Sequence, residues 1–364
     1  MQGRILKSMA IDLSLQDKIL EEDFESVESD GLRLKDFYGS SFLITGSTGL
    51  IGSLMVKTLL YYNRKYDLKI KIYAVVRNIE KAKSVFSQES DNTALSFVVT
   101  EDLGSGNFEF SDKVNFIIHT AAITNSKEMV TFPVSVLVSA FNSTDSLLKI
   151  ARDNNASMVY LSSMEVYGNI EKNEMTDEKS LGYIDLSSVR SCYPESKRAC
   201  ECLCNAYSAQ YGVNVTTARL AQTFGAGILP TENRVFAQFA RSVIDGNDIV
   251  LHTNGLSEGN YVYTSDAIRA ILILLKKGKS KEAYNICNPA SHTTIIEMAR
   301  MVAHNIAEDK IKVVIDIPSD SMKYGYAPNT KLFLDNTKLC SLGWKPQVGL
   351  EQAYRKLISW IKVQ

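Results

Sequence analysis

The sequence predicts an α/β protein built around a doubly wound parallel sheet. Short apolar runs alternate with longer amphipathic stretches along most of the chain, as expected for buried strands separated by crossover helices. The first apolar run, 40–45, ends at Gly46 and is followed at once by helical periodicity. A glycine at such a strand-to-helix junction is typical of a turn whose backbone approaches a phosphate group.

The first half of the chain supplies most of this sheet. Each strand is predicted from an apolar run without polar alternation, because a strand covered by helices on both faces needs apolar residues on both sides. The helices are predicted from apolar residues with helical spacing. The strands are expected at 40–45, 70–76, 95–99, 114–118 and 158–161, and the helices at 50–62, 79–88 and 133–153. Right-handed crossovers then make the strands parallel.

The alternation becomes less regular after residue 163. A polar loop at 168–188 precedes a helix that contains Tyr193 and ends near residue 211. Further strands are expected at 213–220, 249–252, 261–263 and 284–287, and further helices at 265–277, 293–305 and 350–363. We therefore expect an N-terminal extension (1–38), a sheet domain (39–220) to which later segments return, and a smaller C-terminal α/β lobe formed mainly by 221–364.

Composition places the protein among ordinary globular proteins. Of its 364 residues, 45% are hydrophobic and 22% are charged, and the net charge is -1. This charge argues against nucleic acid as a main partner, since binding to phosphates needs a basic excess. No apolar run approaches the roughly 20 residues that span a bilayer, and the charged N-terminus has no signal-peptide pattern. We therefore expect a cytoplasmic protein without membrane or nucleic-acid partners.

The six cysteines do not indicate a metal site or a disulfide framework. Cys200, Cys202 and Cys204 alternate along a predicted helix, so only the first and the last share a face. No second His/Cys cluster completes the spacing of a zinc site. We interpret the cysteines as free, buried thiols and expect no bound metal.

Gly46, Gly49 and Gly52 have the spacing of a dinucleotide-binding turn. After the second strand, where such proteins usually place Asp or Glu for the ribose hydroxyls, this chain has Arg77 and Asn78. An arginine there would accommodate a 2′-phosphate and so favours NADP. Alternatively, Arg77 stacks on the adenine or is solvated, with NAD bound. Both NAD and NADP stay open at this point.

Tyr193 and Lys197 lie one helical turn apart, and Ser163 ends the preceding strand. Tyrosine ionises at about pH 10, so it accepts a proton at neutral pH only with help. A lysine ammonium one turn away, or a positively charged nicotinamide ring, favours the phenolate. The pair alone occurs in helices by chance. Together with Ser163 and a dinucleotide turn, it indicates a centre for proton and hydride transfer.

These motifs resemble those of the extended short-chain dehydrogenase/reductase family, in particular its nucleotide-sugar epimerases, dehydratases and decarboxylases. The resemblance covers about 42–344 and rests on TGSTGLIG at 45–52, DL at 102–103, HTAA at 119–122, LSSMEVYG at 161–168 and YPESK at 193–197. It implies a Rossmann-type dinucleotide-binding domain at 39–220 and a substrate-binding lobe after it. The residues expected to bind the cofactor are Gly46, Thr48, Gly49, Leu50, Ile51, Gly52, Arg77, Asn78, Asp102, Leu103, Thr120, Ala121, Ala122, Ser162, Tyr193 and Lys197.

The resemblance also implies a reaction on a nucleotide-activated sugar. Tyr193 takes the proton of the sugar's 4-hydroxyl while hydride passes from carbon 4 to the nicotinamide, which gives a 4-keto intermediate. Lys197 holds the cofactor ribose and lowers the pKa of the tyrosine, and Ser163 hydrogen-bonds the reacting oxygen. A homodimer is expected by the same resemblance, formed through the helix at 133–153 and the helix that contains Tyr193.

Glu165 is the residue that separates subclasses within this resemblance. The run 163–167 resembles the Thr-x-Glu-x-Tyr of nucleotide-sugar 4,6-dehydratases and of UDP-glucuronate decarboxylases, and in the dehydratases that Glu removes the proton at carbon 5. Many dehydratases have an Asp acid just before it, a role that Met164 cannot fill. The run 190–198, with Arg190 close to the tyrosine, is closest to the decarboxylase-like branch. Alternatively, Glu165 only pairs with a nearby cation.

The C-terminal half departs from the family pattern at positions expected to bind substrate. Gln222 replaces the family's Asn, and Tyr261 belongs to its aromatic pair. Gly259 replaces an Arg that clamps the nucleotide diphosphate in many members. Because a bidentate guanidinium is a strong phosphate ligand, its loss weakens the case for an ordinary UDP- or dTDP-sugar. Arg234 and Arg241 are candidate replacements.

The leading interpretation is an NAD(P)-dependent nucleotide-sugar epimerase/dehydratase-type enzyme, with epimerase, dehydratase and decarboxylase outcomes open. Arg77 favours an alternative, an NADPH-dependent 4-ketosugar reductase, because net reduction draws on NADPH. A second alternative is a non-catalytic dinucleotide-binding sensor, which Gly259 and Ala140 (in place of a family Asn) would favour. The intact serine, tyrosine and lysine argue against a sensor.

Overall fold

A computed structural model describes residues 13–29, 31–89, 92–106, 108–170, 174–317 and 330–364. Its strands are β1 (Ser41–Thr45), β2 (Lys71–Val76), β3 (Leu95–Val99), β4 (Phe116–His119), β5 (Ser157–Ser163), β6 (Val215–Leu220), β7 (Gln222–Phe224), β8 (Ile249–Leu251), β9 (Glu258–Tyr263), β10 (Ala283–Ile286), β11 (Asn288–Thr294) and β12 (Val313–Ile315). Its α-helices are α1 (Leu13–Glu25), α2 (Leu50–Tyr66), α3 (Ile79–Val85), α4 (Ser126–Thr131), α5 (Pro133–Asn154), α6 (Cys192–Tyr211), α7 (Val235–Asp245), α8 (Thr264–Lys277), α9 (Ile295–Met301), α10 (Thr337–Cys340) and α11 (Leu350–Lys362). No helix in these ranges is long and apolar enough to cross a membrane.

Seven strands form one parallel sheet in the order β3-β2-β1-β4-β5-β6-β10. All five residues of β1 are buried, as expected for a strand with helices on both faces of its sheet. The strand order reverses between β1 and β4, and open sheets of this kind bind ligands in the crevice outside the carboxyl ends at that point. The predicted doubly wound, Rossmann-type parallel sheet is therefore confirmed.

Two smaller sheets lie in the C-terminal half of the chain. β9 pairs in parallel with β7 and antiparallel with β11, and β12 pairs in parallel with β8. The register of β7 and β9 places Gln222 opposite Tyr261. Two of the residues that the sequence predicts for substrate binding are therefore neighbours in one sheet.

Two predicted elements differ from the structure. The strand predicted at 284–287 does not belong to the smaller lobe, because β10 pairs with β6 at the edge of the large sheet. The helix predicted at 293–305 begins later, at Ile295, since the preceding residues continue β11. Thr294 and Glu297 form a capping box there, which satisfies the first N–H groups of α9 and fixes its start.

The N-terminal extension packs against the rest of the chain. Leu20 and Phe24 of α1 are buried in the main hydrophobic core. Asp23 of the same helix is also buried; it accepts a hydrogen bond from Tyr263 Oη of β9 at 2.7 Å and pairs with Lys356 Nζ of α11 at 2.6 Å. Helix α1 therefore connects β9 with α11. Residues 1–12 of the predicted extension lie outside the described residues.

Candidate functional site

The turn between β1 and α2 is shaped by its glycines. Gly46 has a φ of 65°, in the left-handed region that favours glycine, and a Cβ there would lie 2.6 Å from Thr120 Oγ1. A Cβ on Gly52 would overlap the Gly46 carbonyl oxygen. Gly49 is exposed and precedes α2 without a side-chain cap. The N-terminus of α2 is thus open at the crevice, where its N–H groups and dipole would attract a phosphate.

Strand β4 ends beside this turn at His119. The His119 Nδ1 atom lies 2.8 Å from Thr45 Oγ1, and its Nε2 atom lies 3.3 Å from Thr144 Oγ1 of α5. Burial, and to a lesser extent the charge of Lys197, lowers the pKa of His119 to about 3, so its imidazole is neutral. Thr120 Oγ1 donates to the Thr45 carbonyl oxygen at 2.6 Å. These bonds hold the end of β4, predicted to border the cofactor, next to the glycine turn.

The two serines at the end of β5 have different surroundings. Ser162 Oγ is fully buried and makes no hydrogen bond with any described residue, so it is a candidate partner for a bound polar group. Ser163 Oγ accepts a hydrogen bond from Glu165 N at 3.2 Å and caps the short 3₁₀ turn Met164–Tyr167. This turn places Met164 and Glu165 directly after Ser163 at the carboxyl edge of the sheet.

Tyr193 and Lys197 lie one turn apart on α6 and are both buried. Lys197 Nζ donates to the Leu161 carbonyl oxygen at 2.7 Å and lies 5.9 Å from the centre of the Tyr193 ring. Burial lowers the pKa of Lys197 to about 8. Burial raises the pKa of Tyr193 to about 12, and the charge of Glu165 acts in the same direction. In this structure the phenol is therefore protonated at neutral pH.

Three groups oppose the rise in the Tyr193 pKa. They are a hydrogen bond with Ser163 and the positive charges of Arg190 and Arg234. Each favours the phenolate, since each stabilises negative charge on the phenol oxygen. The positive charges of both guanidinium groups therefore act on the hydroxyl. Sequence analysis did not assign Arg190 a role of its own, although its position three residues before Tyr193 is a signal that the two are neighbours.

Glu165 and Arg190 form an ion pair with two hydrogen bonds. Arg190 NH1 donates to Glu165 Oε2 at 2.6 Å, and Arg190 NH2 donates to Oε1 at 3.1 Å. The two side chains are 27% and 28% exposed, so the pair is partly open to solvent. The cation partner that the sequence left as an alternative for Glu165 is therefore present. The same carboxylate is close enough to Tyr193 to raise its pKa, so a chemical role stays open as well.

The residues predicted to contact the adenosine half of a cofactor follow β2 and β3. Arg77 is exposed directly after β2. Asn78 Oδ1 accepts a hydrogen bond from Lys81 N at 2.9 Å and caps α3. Asp102 Oδ1 accepts one from Gly104 N at 2.8 Å and stabilises the turn after β3. The Arg77 side chain is thus exposed at the crevice, and the two others also have a local structural role.

The two arginines proposed as substitutes for the missing clamp have partners in the loop before α7. Arg234 donates to Glu232 through Nε at 3.0 Å and NH2 at 2.7 Å, and its side chain is 48% exposed. Arg241 donates through NH1 to the Glu232 carbonyl oxygen at 2.7 Å and through NH2 to the Pro230 carbonyl oxygen at 2.8 Å. Arg234 acts on Tyr193 through its charge, whereas Arg241 holds the loop. Their contacts with substrate stay predictions.

Comparisons with known proteins agree with this arrangement. Residues 42–287 match the NAD dependent epimerase/dehydratase family. The chain is 26% identical over 330 residues to UDP-glucuronic acid decarboxylase 1 of Xenopus tropicalis, which covers 88% of this chain and 72% of the relative. It is 24% identical over 347 residues to the dTDP-D-glucose 4,6-dehydratase of Bos taurus, with 92% of each chain covered.

A solved structure shows the same fold. The dTDP-glucose 4,6-dehydratase of Bacillus anthracis, determined in complex with NAD, superposes with a TM-score of 0.71 at 20% identity and covers 89% of this chain and 96% of its own. The family match spans most of the chain, from the glycine turn through Ser163, Tyr193 and Lys197 to the end of β10. The chain belongs to the NAD dependent epimerase/dehydratase family.

Proposed function

We propose that this protein is an NAD(P)-dependent enzyme that acts on a nucleotide-activated sugar through hydride transfer at carbon 4 and a 4-keto intermediate. One observation carries the proposal: the Tyr193 hydroxyl lies with Ser163, Glu165 and Arg190 at the carboxyl edge of the sheet. This is the edge at which a doubly wound sheet binds a dinucleotide. The activities named for the relatives in this family support the substrate class.

The residues of the crevice fit a nicotinamide dinucleotide. A side chain at Gly46 or Gly52 would not fit, so the chain stays compact beside the N-terminus of α2. That N-terminus would hold the pyrophosphate. Ser162 Oγ, at the end of β5, is a buried hydroxyl with no hydrogen-bond partner among the described residues. Arg77 would lie beside the adenosine ribose, where it favours a 2′-phosphate and hence NADP over NAD. When bound, the dinucleotide supplies the hydride acceptor or donor.

Tyr193 is the residue to which we assign the proton of the sugar's 4-hydroxyl. Burial raises its pKa to about 12, so Tyr193 needs nearby positive charge to act as a base at neutral pH. Arg190 and Arg234 supply part of the positive charge that favours the phenolate. Ser163 would hydrogen-bond the reacting oxygen from the other side of the phenol. Glu165, two residues further along the turn, would take the proton from carbon 5 in an elimination in which a hydroxyl leaves carbon 6.

The substrate's remaining contacts are proposed for the loop before α7 and the small sheet. Gln222 and Tyr261 face each other across β7 and β9. The charge of Arg234 acts on the Tyr193 phenol, and its side chain is 48% exposed, so its guanidinium is accessible to a substrate. Arg241 would act indirectly, because its guanidinium is bound to loop carbonyls.

A second candidate is the NADPH-dependent 4-ketosugar reductase. A protonated phenol at neutral pH is the form that donates a proton to a 4-keto oxygen as it is reduced, and Tyr193 is in that form here. Arg77 favours the phosphorylated cofactor that reductases draw on. The phenol and the cofactor site are the same as in the first candidate. The two candidates therefore use one site and differ in the direction of proton and hydride transfer.

The experiment is to incubate the purified protein with NAD, NADP or NADPH and a panel of UDP- and dTDP-sugars that includes 4-ketosugars, and to analyse the sugars by NMR. A 4-keto, deoxygenated, decarboxylated or epimerised product supports the proposal. Conversion of a 4-ketosugar only, with NADPH consumed, supports the reductase. Cofactor binding with no change in any sugar would contradict both and support the sensor. Tyr193→Phe is the control, since it removes the phenol hydroxyl alone.

We further propose a homodimer formed through α5 and α6. Val134, Leu137, Val138 and Phe141 recur on one face of α5 with helical spacing, and each is at least 40% exposed. A contiguous apolar patch of this kind indicates a protein contact. Light scattering should give twice the mass of the chain, and Phe141→Glu should shift the mass toward the monomer. A monomeric native protein would contradict the proposal.

A further inference from the structure

Met164 and Gly259 meet across the proposed sugar site. Met164 lies between Ser163 and Glu165 in the turn after β5, and Gly259 lies in β9. A Cβ on Gly259 would be 3.5 Å from Met164 Cε, an ordinary van der Waals distance. Gly259 is not among the residues with positive φ, so neither its backbone nor the space around it requires a glycine. The Met164 methyl group lies beside Gly259, where a side chain longer than alanine would project.

The neighbours of Gly259 in β9 do not supply a charge in its place. Tyr261, two residues on, shares its face of the strand. Asn260 points to the opposite face and is fully buried, where its amide donates to Asn288 O at 3.2 Å and accepts from Leu334 N at 2.6 Å. The face of β9 toward Met164 therefore carries a glycine and an aromatic ring.

The two arginines whose charges act on the phenol are already paired with carboxylates. Arg190 is paired with Glu165, and Arg234 is paired with Glu232, each through two hydrogen bonds. A substrate carboxylate in this part of the site would have to compete with one of these glutamates for its arginine. A charged group that is desolvated without a partner is strongly disfavoured. An uncharged substituent meets no such cost against a thioether and a glycine.

We propose that Met164 and Gly259 are specificity-determining residues that form an uncharged contact surface and select a nucleotide hexose over the corresponding nucleotide hexuronate. The two sugars differ only in the group attached to carbon 5, next to the reacting carbon 4. A hydroxymethyl or methyl group packs against the Met164 thioether, whereas a carboxylate loses water there while Arg190 and Arg234 are already paired with glutamates. This inference rests on the proposed function of the same site.

Pairs of substrates with a common nucleotide test it on the native protein. With saturating NAD or NADP, the affinities of UDP-glucose and UDP-glucuronate are measured by calorimetry, and the pair dTDP-glucose and dTDP-glucuronate is measured in the same way. For whichever nucleotide the protein binds, the affinity for the hexose should be at least about tenfold higher than the affinity for the hexuronate. Equal or tighter binding of the hexuronate, or release of CO₂ from it, would overturn the inference and leave the proposed function standing. Binding of the cofactor but of no sugar would overturn both.

Substitutions at Gly259 test the mechanism of selection. Gly259→Arg introduces a cation beside Met164. Any contact of this cation with the diphosphate is common to both sugars and cancels in the affinity ratio, whereas a contact with the carboxylate should shift the hexuronate-to-hexose ratio by about tenfold toward the hexuronate. Gly259→Gln is the uncharged control of similar length and should leave the ratio nearly unchanged. Equal ratios in the two variants would contradict the role of charge. Cofactor binding and thermal unfolding check that each variant folds.

Met164 gives an independent test if the β9 variants do not fold. Its side chain is half-buried at the site, so Met164→Lys places an ammonium group there with access to solvent. It should shift the affinity ratio in the same direction as Gly259→Arg, whereas Met164→Leu should keep the preference for the hexose. A preference that is unchanged by Met164→Lys would count against the proposed contact surface.

Discussion

Glu165 Oε2 lies 2.6 Å from Arg190 NH1, and the carboxylate of this ion pair raises the pKa of Tyr193 while the guanidinium lowers it. The two substitutions Glu165→Gln and Arg190→Met should therefore move the Tyr193 pKa in opposite directions. Loss of the negative charge should lower it, and loss of the positive charge should raise it. Ultraviolet titration of the phenolate, with Tyr193→Phe subtracted, measures both shifts. Shifts of the same sign would contradict the arrangement.

Glu165→Gln also separates the possible reactions. If Glu165 removes a second proton from the sugar, the substitution should lower turnover by about 100-fold or more while leaving cofactor affinity unchanged. Product formation and NAD(P)H fluorescence measure the two effects. Turnover equal to that of the native enzyme would exclude the elimination outcome and leave decarboxylation, epimerisation or reduction.

Gly52→Ala tests the cofactor cradle. The added Cβ would overlap the Gly46 carbonyl oxygen, so the glycine turn has to move away from the N-terminus of α2. We expect cofactor affinity to fall roughly 10- to 100-fold. Gly349→Ala is the matched control: Gly349 precedes α11, its Cβ would meet no described residue within 4 Å, and cofactor affinity should not change. Fluorescence titration with NADPH compares the two variants, and equal affinities would argue against the cradle.

The features that the sequence predicts correctly are those encoded by neighbouring residues. The glycine turn, the strand ends that follow it and the Tyr193/Lys197 spacing all lie within short segments. Contacts between distant segments are not encoded in this way. Glu165 and Arg190 are 25 residues apart, and Asp23 and Tyr263 are 240 residues apart. An apolar run likewise predicts a strand but not its partner, which is why β10 was expected in the smaller lobe and lies in the large sheet.

Lys197 should make stability depend on pH. Its pKa is about 8 in the folded protein against 10.5 for an unperturbed lysine. Because the folded-state pKa is depressed, the unfolded state binds more protons between these values, so this contribution to stability increases from about pH 8 to 10.5 and is lost as the pH falls. The shift corresponds to roughly 3 kcal/mol. Denaturant unfolding of the native protein and of Lys197→Met measures this contribution. The unfolding free energy of the native protein minus that of the variant should increase with pH. A difference that stays constant would contradict the depressed pKa.

Asp23 connects the N-terminal helix to β9 and α11. Asp23→Ala removes the carboxylate that pairs with Lys356 and accepts the hydrogen bond of the Tyr263 hydroxyl. Both groups lose this partner, so we expect the free energy of unfolding to fall by about 2 kcal/mol. Glu22→Gln is the matched control, because Glu22 lies 4.0 Å from the same lysine and is 62% exposed. It should change stability by no more than about 0.5 kcal/mol. Chemical denaturation compares them, and equal losses would show that burial of the pair is unimportant.

Arg77 should decide between the two cofactors. Its guanidinium is exposed directly after β2, where a dinucleotide enzyme binds the adenosine ribose. We expect the native enzyme to have a lower KM for NADP than for NAD, and Arg77→Asp to reverse the preference, because a carboxylate accepts the ribose hydroxyls and repels a 2′-phosphate. Lys83→Asp is the control for the change of charge, since Lys83 lies in α3 with a side chain that is 62% exposed, and it should leave the cofactor preference unchanged. A native preference for NAD, unchanged by Arg77→Asp, would show that Arg77 is solvated rather than bound to the cofactor.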